Sequence, residues 1–317
     1  MSCPCKYVFG PVPSRRLGRS LGLDLVPFKT CTFDCLYCQL GRTTDLTVKR
    51  KPYVPSQAVL EELDRYLKTG IRPDYITFSG SGEPTLNSDL GCLIAAVKRR
   101  TRIPVAVLTN ASLLWKPAVR DALAAADVVL PSLSAGNSRI FHLVNRPHSD
   151  LKYGLMLEGL LKFAHQFKGK IWFEVFLLKG ITSMEKEVER LAKVARKINP
   201  SRIQLNTVIR PPSDPLAKPV STEKMRHLAF QFGRNAEILP DFHASRGSKS
   251  RTGEATGIKA LLGRRPCTLS DIAQGLHISH SEALKILGKL IEQKSVVSKR
   301  QNGQAFFTTI GAQGENR

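Results

Sequence analysis

Runs of β-branched and apolar residues alternate with amphipathic stretches six times in this chain, and that alternation limits its fold more than any other feature. Strands are expected at residues 21–25, 75–79, 105–109, 128–132, 171–177 and 203–208. Helices are expected at 56–67, 88–100 and 117–126, in a region ending near 167, and at 184–198 and 221–232. Strands that alternate with helices imply a parallel sheet, because each right-handed crossover brings the chain back to the same end of the sheet. The expected fold class is therefore α/β: a partial (β/α)6 TIM-like barrel, with an open doubly wound sheet as the alternative. Either arrangement places functional groups in the loops after the carboxyl ends of the strands.

The pattern stops after Pro240. Residues 1–240 are expected to form the barrel domain and 241–253 a small, polar, basic linker. Residues 254–317 then offer three short helices (254–262, 270–276 and 281–293) and two strands (296–300 and 305–309) flanking Asn302-Gly303, a strong hairpin signal. This reads as a small carboxyl-terminal winged helix-turn-helix domain.

Seven cysteines in 317 residues are an odd number, and three of them, Cys31, Cys35 and Cys38, fall within eight residues. A chain of this size needs no disulfide framework, so a reducing compartment and metal ligation fit better. The amino terminus has no apolar core of signal-peptide length, and the longest apolar stretches fall short of the roughly 20 residues that cross a bilayer. A cytoplasmic protein without membrane contact is expected. The net charge of +22 attracts polyanions such as nucleic acid, and an acidic protein partner would also be compatible.

Cys31-Thr-Phe-Asp-Cys35-Leu-Tyr-Cys38 presents three thiols on the loop after the first expected strand. Three ligands serve three corners of a cubane cluster, whereas a closed structural zinc site would need a fourth from elsewhere in the chain. The C-x3-C-x2-C spacing, with aromatic Tyr37 before the last cysteine, resembles the radical S-adenosylmethionine (SAM) superfamily. Ser79-Gly80-Ser81-Gly82-Glu83-Pro84, after the second expected strand, resembles that superfamily's Gly-Gly-Glu-Pro segment, with Ser81 in place of the first glycine.

The resemblance implies a [4Fe-4S] cluster on Cys31, Cys35 and Cys38, whose free iron binds SAM. It implies SAM contacts from Gly80, Gly82 and Glu83, and from Asn110, Ser132 and Ser134 at later strand ends. Asn137 could join them, and backbone atoms at 205–208 could read the adenine. Loop or helix capping is the alternative role for Asn110, Ser132, Ser134 and Asn137. The implied reaction is reductive cleavage of SAM to a 5′-deoxyadenosyl radical, with ferredoxin or flavodoxin as the low-potential donor.

The segment Phe9–Gly22, with Gln39–Thr44, further resembles a group related to the tRNA wybutosine biosynthesis Fe-S oxidoreductases. Those enzymes bind a second cluster through three spaced upstream cysteines, and only Cys3 and Cys5 precede Cys31 here. A tRNA or other RNA substrate is thus the first expectation. An enzyme acting on a protein or small metabolite, and a cluster-containing DNA-binding regulator, are the alternatives.

Among other candidates, Arg15, Arg16 and Arg19 are suited to phosphates or the SAM carboxylate, or else form a solvated basic loop. Glu174 and Asn206 are candidates to point into the barrel. Lys179 reads as a solvated lysine, with Schiff-base chemistry as its alternative, Cys92 as a core residue and Cys267 as incidental.

Overall fold

The computed structural model of the protein describes residues 6–239, 255–276, 278–301 and 303–310. Cys3, Cys5, the expected linker and Asn302 lie outside them. The strands, in chain order, are β1 (Val8–Ser14), β2 (Gly18–Leu23), the two-residue β3 (Thr30–Cys31) and β4 (Asp45–Leu46), β5 (Tyr75–Phe78), β6 (Val105–Thr109), β7 (Val128–Pro131), β8 (Lys170–Leu177), β9 (Arg202–Thr207), β10 (Ala236–Ile238), β11 (Val296–Gln301) and β12 (Gln304–Thr309). The α-helices are α1 (Ser56–Leu67), α2 (Leu90–Arg100), α3 (Pro117–Leu123), α4 (Ser138–Asn145), α5 (Tyr153–Gln166), α6 (Glu185–Ile198), α7 (Thr222–Ala229), α8 (Ala255–Leu262), α9 (Leu269–Leu276) and α10 (His280–Glu292).

Eight strands form one sheet in the order β1-β2-β5-β6-β7-β8-β9-β10. All neighbours are parallel except β1 and β2, which pair as an antiparallel hairpin. The six expected strands are the run from β2 to β9. The hairpin partner β1 and the short edge strand β10 are additions that the strand–helix alternation does not signal: β1 carries Pro11 and Pro13, and β10 has only three residues.

The central strands are buried along nearly their whole length, as strands covered on both faces must be. Helices fit against them by periodicity. In α6, Val188, Leu191, Ala192, Ala195 and Ile198 recur at three- and four-residue steps and are all buried, while Arg196 and Lys197 sit at its carboxyl end, where the helix dipole favours cations. Fully buried side chains such as Phe78, Phe141, Phe163 and Phe173 each stabilise the core by about 1.5–3 kcal/mol relative to exposure.

The turn of the first hairpin closes one end of the sheet's interior. Leu17, 2% exposed, packs with Ala106, Val128, Leu130 and Trp172 from three later strands. Beside it, Arg16 is ion-paired with Glu174 on β8, and Arg15 donates to Asn206 Oδ1 on β9 at 3.0 Å. Residues from the first strands therefore touch those from β8 and β9 across the concave side, which is the curvature of a partial barrel.

The carboxyl-terminal elements are three helices and the β11–β12 hairpin, whose register pairs Gln301 with Gln304. Ile258, Leu261, Leu262, Ile272, Ala273, Leu287 and Leu290 form their core, together with Val12 and Phe9 of β1. These elements are thus packed against the barrel's first strand. Cys267, expected to be incidental, is fully buried in this cluster, and its backbone pairs with Phe307.

Candidate active site

The cysteine loop leaves the carboxyl end of β2 and is fixed by the residues between its thiols. Phe33 is buried edge-on against Phe141, with ring centroids 5.3 Å apart. The Leu36 amide donates to the Val144 carbonyl at 2.9 Å. Tyr37 stacks on Phe176 at 4.1 Å, and its hydroxyl is 2.7 Å from Ser134 Oγ. Apolar anchoring of the intervening residues leaves each thiol facing a nitrogen donor. Lys29 Nζ donates to Cys38 Sγ at 3.1 Å, Asn145 Nδ2 to Cys35 Sγ at 3.4 Å, and Asn110 Nδ2 to Cys31 Sγ at 3.6 Å.

Burial, and then the Glu83 carboxylate, push the Cys31 thiol up to about 12. Burial and the two other cysteines push Cys35 up as well. Lys29 is 3% exposed, and no carboxylate pairs with it among the described residues. Burial opposes its charge, yet the three cysteines together hold its pKa above the ordinary value. Thiols so enclosed become thiolates when a positive centre compensates them, with release of protons. Among the described residues, no three Cys, His, Asp or Glu groups close on one point as a single-ion site requires. Three thiols on one loop suit three irons of one cluster.

The segment after β5 runs directly against this loop. The backbone at Gly80 has φ 148°, and a Cβ there would lie 2.6 Å from Asp24 Cγ; a Cβ on Gly82 would collide with the Thr30 carbonyl. Both glycines are thus required by close approach. Asp24 binds Ser81 through its amide, at 3.1 Å, and through its hydroxyl, and it is ion-paired with Arg264 from the turn after α8. Burial raises the Asp24 pKa against the opposing pull of Arg264.

Glu83, 2% exposed, accepts from Thr85 N at 3.1 Å, Thr85 Oγ1 at 2.6 Å and Thr109 Oγ1 at 2.7 Å through one oxygen. Its other oxygen accepts from Asn110 N at 2.7 Å. The carboxylate braces the ends of β5 and β6 beside Cys31, and burial raises its pKa despite these donors.

Asn110 spends its side chain on Thr32 Oγ1 at 2.7 Å, on Cys31, and on the Ser112 amide at 3.0 Å. Ser134 is buried against Tyr37, and Asn137 caps α4 by accepting from the Ile140 amide at 3.1 Å. Ser132, by contrast, lines a cavity of about 270 Å3 inside the barrel. Cys38, Tyr37, Glu174 and Asn206 line it too, as do Thr207 and Val208 of the expected adenine-reading stretch.

Arg15 and Arg16 reach the same cavity, but Arg19 is exposed and bonds to the Arg72 carbonyl. Cys92 is exposed, correcting its reading as a core residue: α2 turns Leu93, Ile94 and Val97 inward and places position 92 on the other side. Lys179 is exposed at the edge of a larger cavity, about 1030 Å3, between the barrel and the carboxyl-terminal elements. Lys29, Asp24, Asn145 and Arg264 escape a sequence reading, since each is a common residue type outside any motif; only Lys29, two positions before Cys31, stands where proximity was legible.

A parallel α/β partial barrel with three enclosed thiols at the carboxyl ends of its strands is the frame of a cluster-dependent enzyme. Residues 25–195 match the model of the radical SAM superfamily, and the chain belongs to that superfamily. Its enzymes use a [4Fe-4S] cluster and SAM, and the donor set here, three thiols with nitrogen donors beside an open cavity, fits both. A protein of Brachyspira hyodysenteriae named GTPase Obg is 40% identical over 302 residues, covering 94% of this chain and 44% of that protein. The chain therefore spans less than half the length of that relative. A UPF0026 protein of Methanocaldococcus jannaschii is 32% identical over 306 residues, 94% of each chain. Among solved structures, TYW1 with a lysine-pyruvate adduct bound aligns with a TM-score of 0.51 at 15% identity, over 72% of this chain and 76% of that one, a likeness of fold alone. Among the described residues no helix is long and apolar enough to cross a membrane.

Proposed function

We propose that this enzyme binds its cluster through Cys31, Cys35 and Cys38, and uses reductive cleavage of SAM to modify tRNA or another RNA. The observation that carries the chemistry is the set of three enclosed thiols, each met by a nitrogen donor, beside a cavity that Cys38 itself lines. When bound, the cluster supplies the electron that splits SAM into methionine and a 5′-deoxyadenosyl radical. Lys29 holds Cys38 and offsets its charge, and Asn145 donates a hydrogen bond to Cys35. Gly80 and Gly82 let the segment after β5 lie against the cysteine loop, and Glu83 fixes that segment to Asn110. Ser132, Glu174, Asn206 and the backbone at 207–208, which line the cavity with Tyr37, would hold the SAM nucleoside. Leu17 and the first hairpin, which close one end of the barrel's interior, limit the access of water to the radical.

In this reading Gly80, Glu83, Asn110 and Ser134 act on SAM mainly by shaping the site. The electron donor is a ferredoxin or flavodoxin, and the setting is the cytoplasm.

The RNA substrate is supported by the +22 net charge, and the wybutosine-like segments favour tRNA. The fold likeness to TYW1 adds only architecture. Residues 254–317 are read as a winged-helix domain joined by a linker to a barrel domain ending near 240. Leu284 of α10 lines the cavity facing the barrel, which favours a part of the enzyme over a free DNA-reading helix.

The test is deoxyadenosine production by anaerobically reconstituted, reduced protein with SAM, with RNA from cells lacking this gene or from wild-type cells. Stimulation only by the former supports RNA modification. A basal rate indifferent to RNA would move the substrate to proteins or metabolites, and no product with the cluster verified would reject the enzyme reading of this site.

A further inference from the structure

The cavity beside Cys38 carries a charge pattern that SAM does not account for. Its lining includes four arginines, Arg15, Arg16, Arg210 and Arg265, and one carboxylate, Glu174. That carboxylate is already ion-paired with Arg16 and accepts from Asn206 Nδ2 at 2.7 Å. Arg16 Nε is buried without a hydrogen-bond partner among the described residues. Arg210, buried, donates to the Pro266 carbonyl at 2.9 Å and to Gln39 Oε1 at 3.3 Å, and meets Asp271 at 3.5 Å. Burial, and next the charge of Arg265, pull its pKa down to about 10. Arg210 and Arg265 thus bring two positive charges to the lining of one cavity, near enough for one to lower the pKa of the other, an arrangement that an anion between them relieves. All four arginines lie outside residues 25–195, the part shared with the superfamily model.

We infer that this arginine-lined side of the cavity receives a phosphate group of the substrate, with Arg265, supplied by the carboxyl-terminal elements, as a binding residue. A phosphate monoester brings roughly 1.5–2 negative charges and three acceptor oxygens, against one charge for a carboxylate. Planar guanidinium forks match that geometry bidentately. Arg264, the preceding residue, is ion-paired with Asp24 on the segment that also holds Ser81, so the turn carrying Arg265 is pinned to the barrel. The identity of the phosphate as one from a nucleotide rests on the RNA reading above; a phosphorylated metabolite would use the same arginines.

The test is calorimetric titration of inorganic phosphate, and separately of SAM, into the reconstituted full-length protein at low ionic strength. Wild-type protein is expected to bind phosphate saturably with SAM present. Arg265→Met should weaken phosphate binding at least tenfold with SAM affinity unchanged, and Arg265→Lys should retain part of it. If Arg265→Met does not fold, Arg265→Lys and Arg15→Met decide, each weakening phosphate binding but not SAM binding. Absence of saturable phosphate binding, or equal binding in these variants, overturns the inference. So does a loss of SAM affinity in them, which would assign the guanidinium groups to the SAM carboxylate. Phosphate binding needs no turnover, so a failed RNA stimulation assay leaves this result standing, and the reverse also holds.

Discussion

Replacing Arg264 with alanine tests whether the carboxyl-terminal elements are part of the active site or an appendage. Asp24 is 4% exposed, and its carboxylate carries the Ser81 amide, the Ser81 hydroxyl and the Arg264 guanidinium. Removing one partner of a buried pair costs about 3–5 kcal/mol, because the other charge stays buried. Two hydrogen bonds from Ser81 remain, and the Arg264 side chain is itself 18% exposed, so the low end, about 3 kcal/mol, is expected.

The deficit should depend on pH. Burial already raises the folded-state pKa of Asp24 above 3.8, and Arg264 is the largest influence lowering it. In the variant the folded state therefore holds its proton to still higher pH than the unfolded chain does. Stability then falls as pH rises from about 4 through the folded pKa, and the deficit shrinks in acid. Urea unfolding of wild-type, Arg264→Ala, Asp24→Asn and the double variant, at several pH values, measures this. An Arg264→Ala cost that is the same in the Asp24→Asn background, or independent of pH, would refute the pairing as its source.

Three further outcomes follow from the site. Cys35→Ser should lose most of the iron bound on reconstitution and all SAM cleavage, read by iron analysis and deoxyadenosine formation; full iron content would reject Cys35 as a ligand. Gly82→Ala should misplace the segment after β5 against the Thr30 carbonyl and weaken SAM binding at least tenfold, measured by equilibrium binding, whereas Gly154→Ala, in α5 with open space around its Cβ and no left-handed φ, should not alter SAM binding. Lys29→Met removes a buried positive charge 3.1 Å from Cys38 Sγ, so the cluster's reduction potential should become more negative in a redox titration followed by electron paramagnetic resonance. An unchanged potential would show that Lys29 does not act on the cluster.

The alternation of strand and helix determined the parallel sheet, since each crossover leaves one geometric solution, and the spacing of Cys31, Cys35 and Cys38 marked the loop at the end of its first parallel strand. Those features are local, and local pattern carries them. The roles of Gly80 and Gly82 were legible only in part: the sequence marks them as special, but their closeness to Asp24 and Thr30 arises from neighbouring strands far apart in the chain. Glu83 shows the same limit, because its donors on Thr109 and Asn110 come from the next strand.

Tertiary structure alone decided the rest. Lys29 faces Cys38 because the chain turns through φ 58° at that residue, and Arg16 meets Glu174, 158 residues away, because the sheet curves until its first hairpin closes its own interior. Arg264 lies 240 residues from Asp24 and is brought to it by packing of the carboxyl-terminal elements on the barrel, β1 included. Pairings of that range leave no periodic trace in a single sequence, because the residues that meet are chosen by the curvature of the whole sheet and not by their spacing along it.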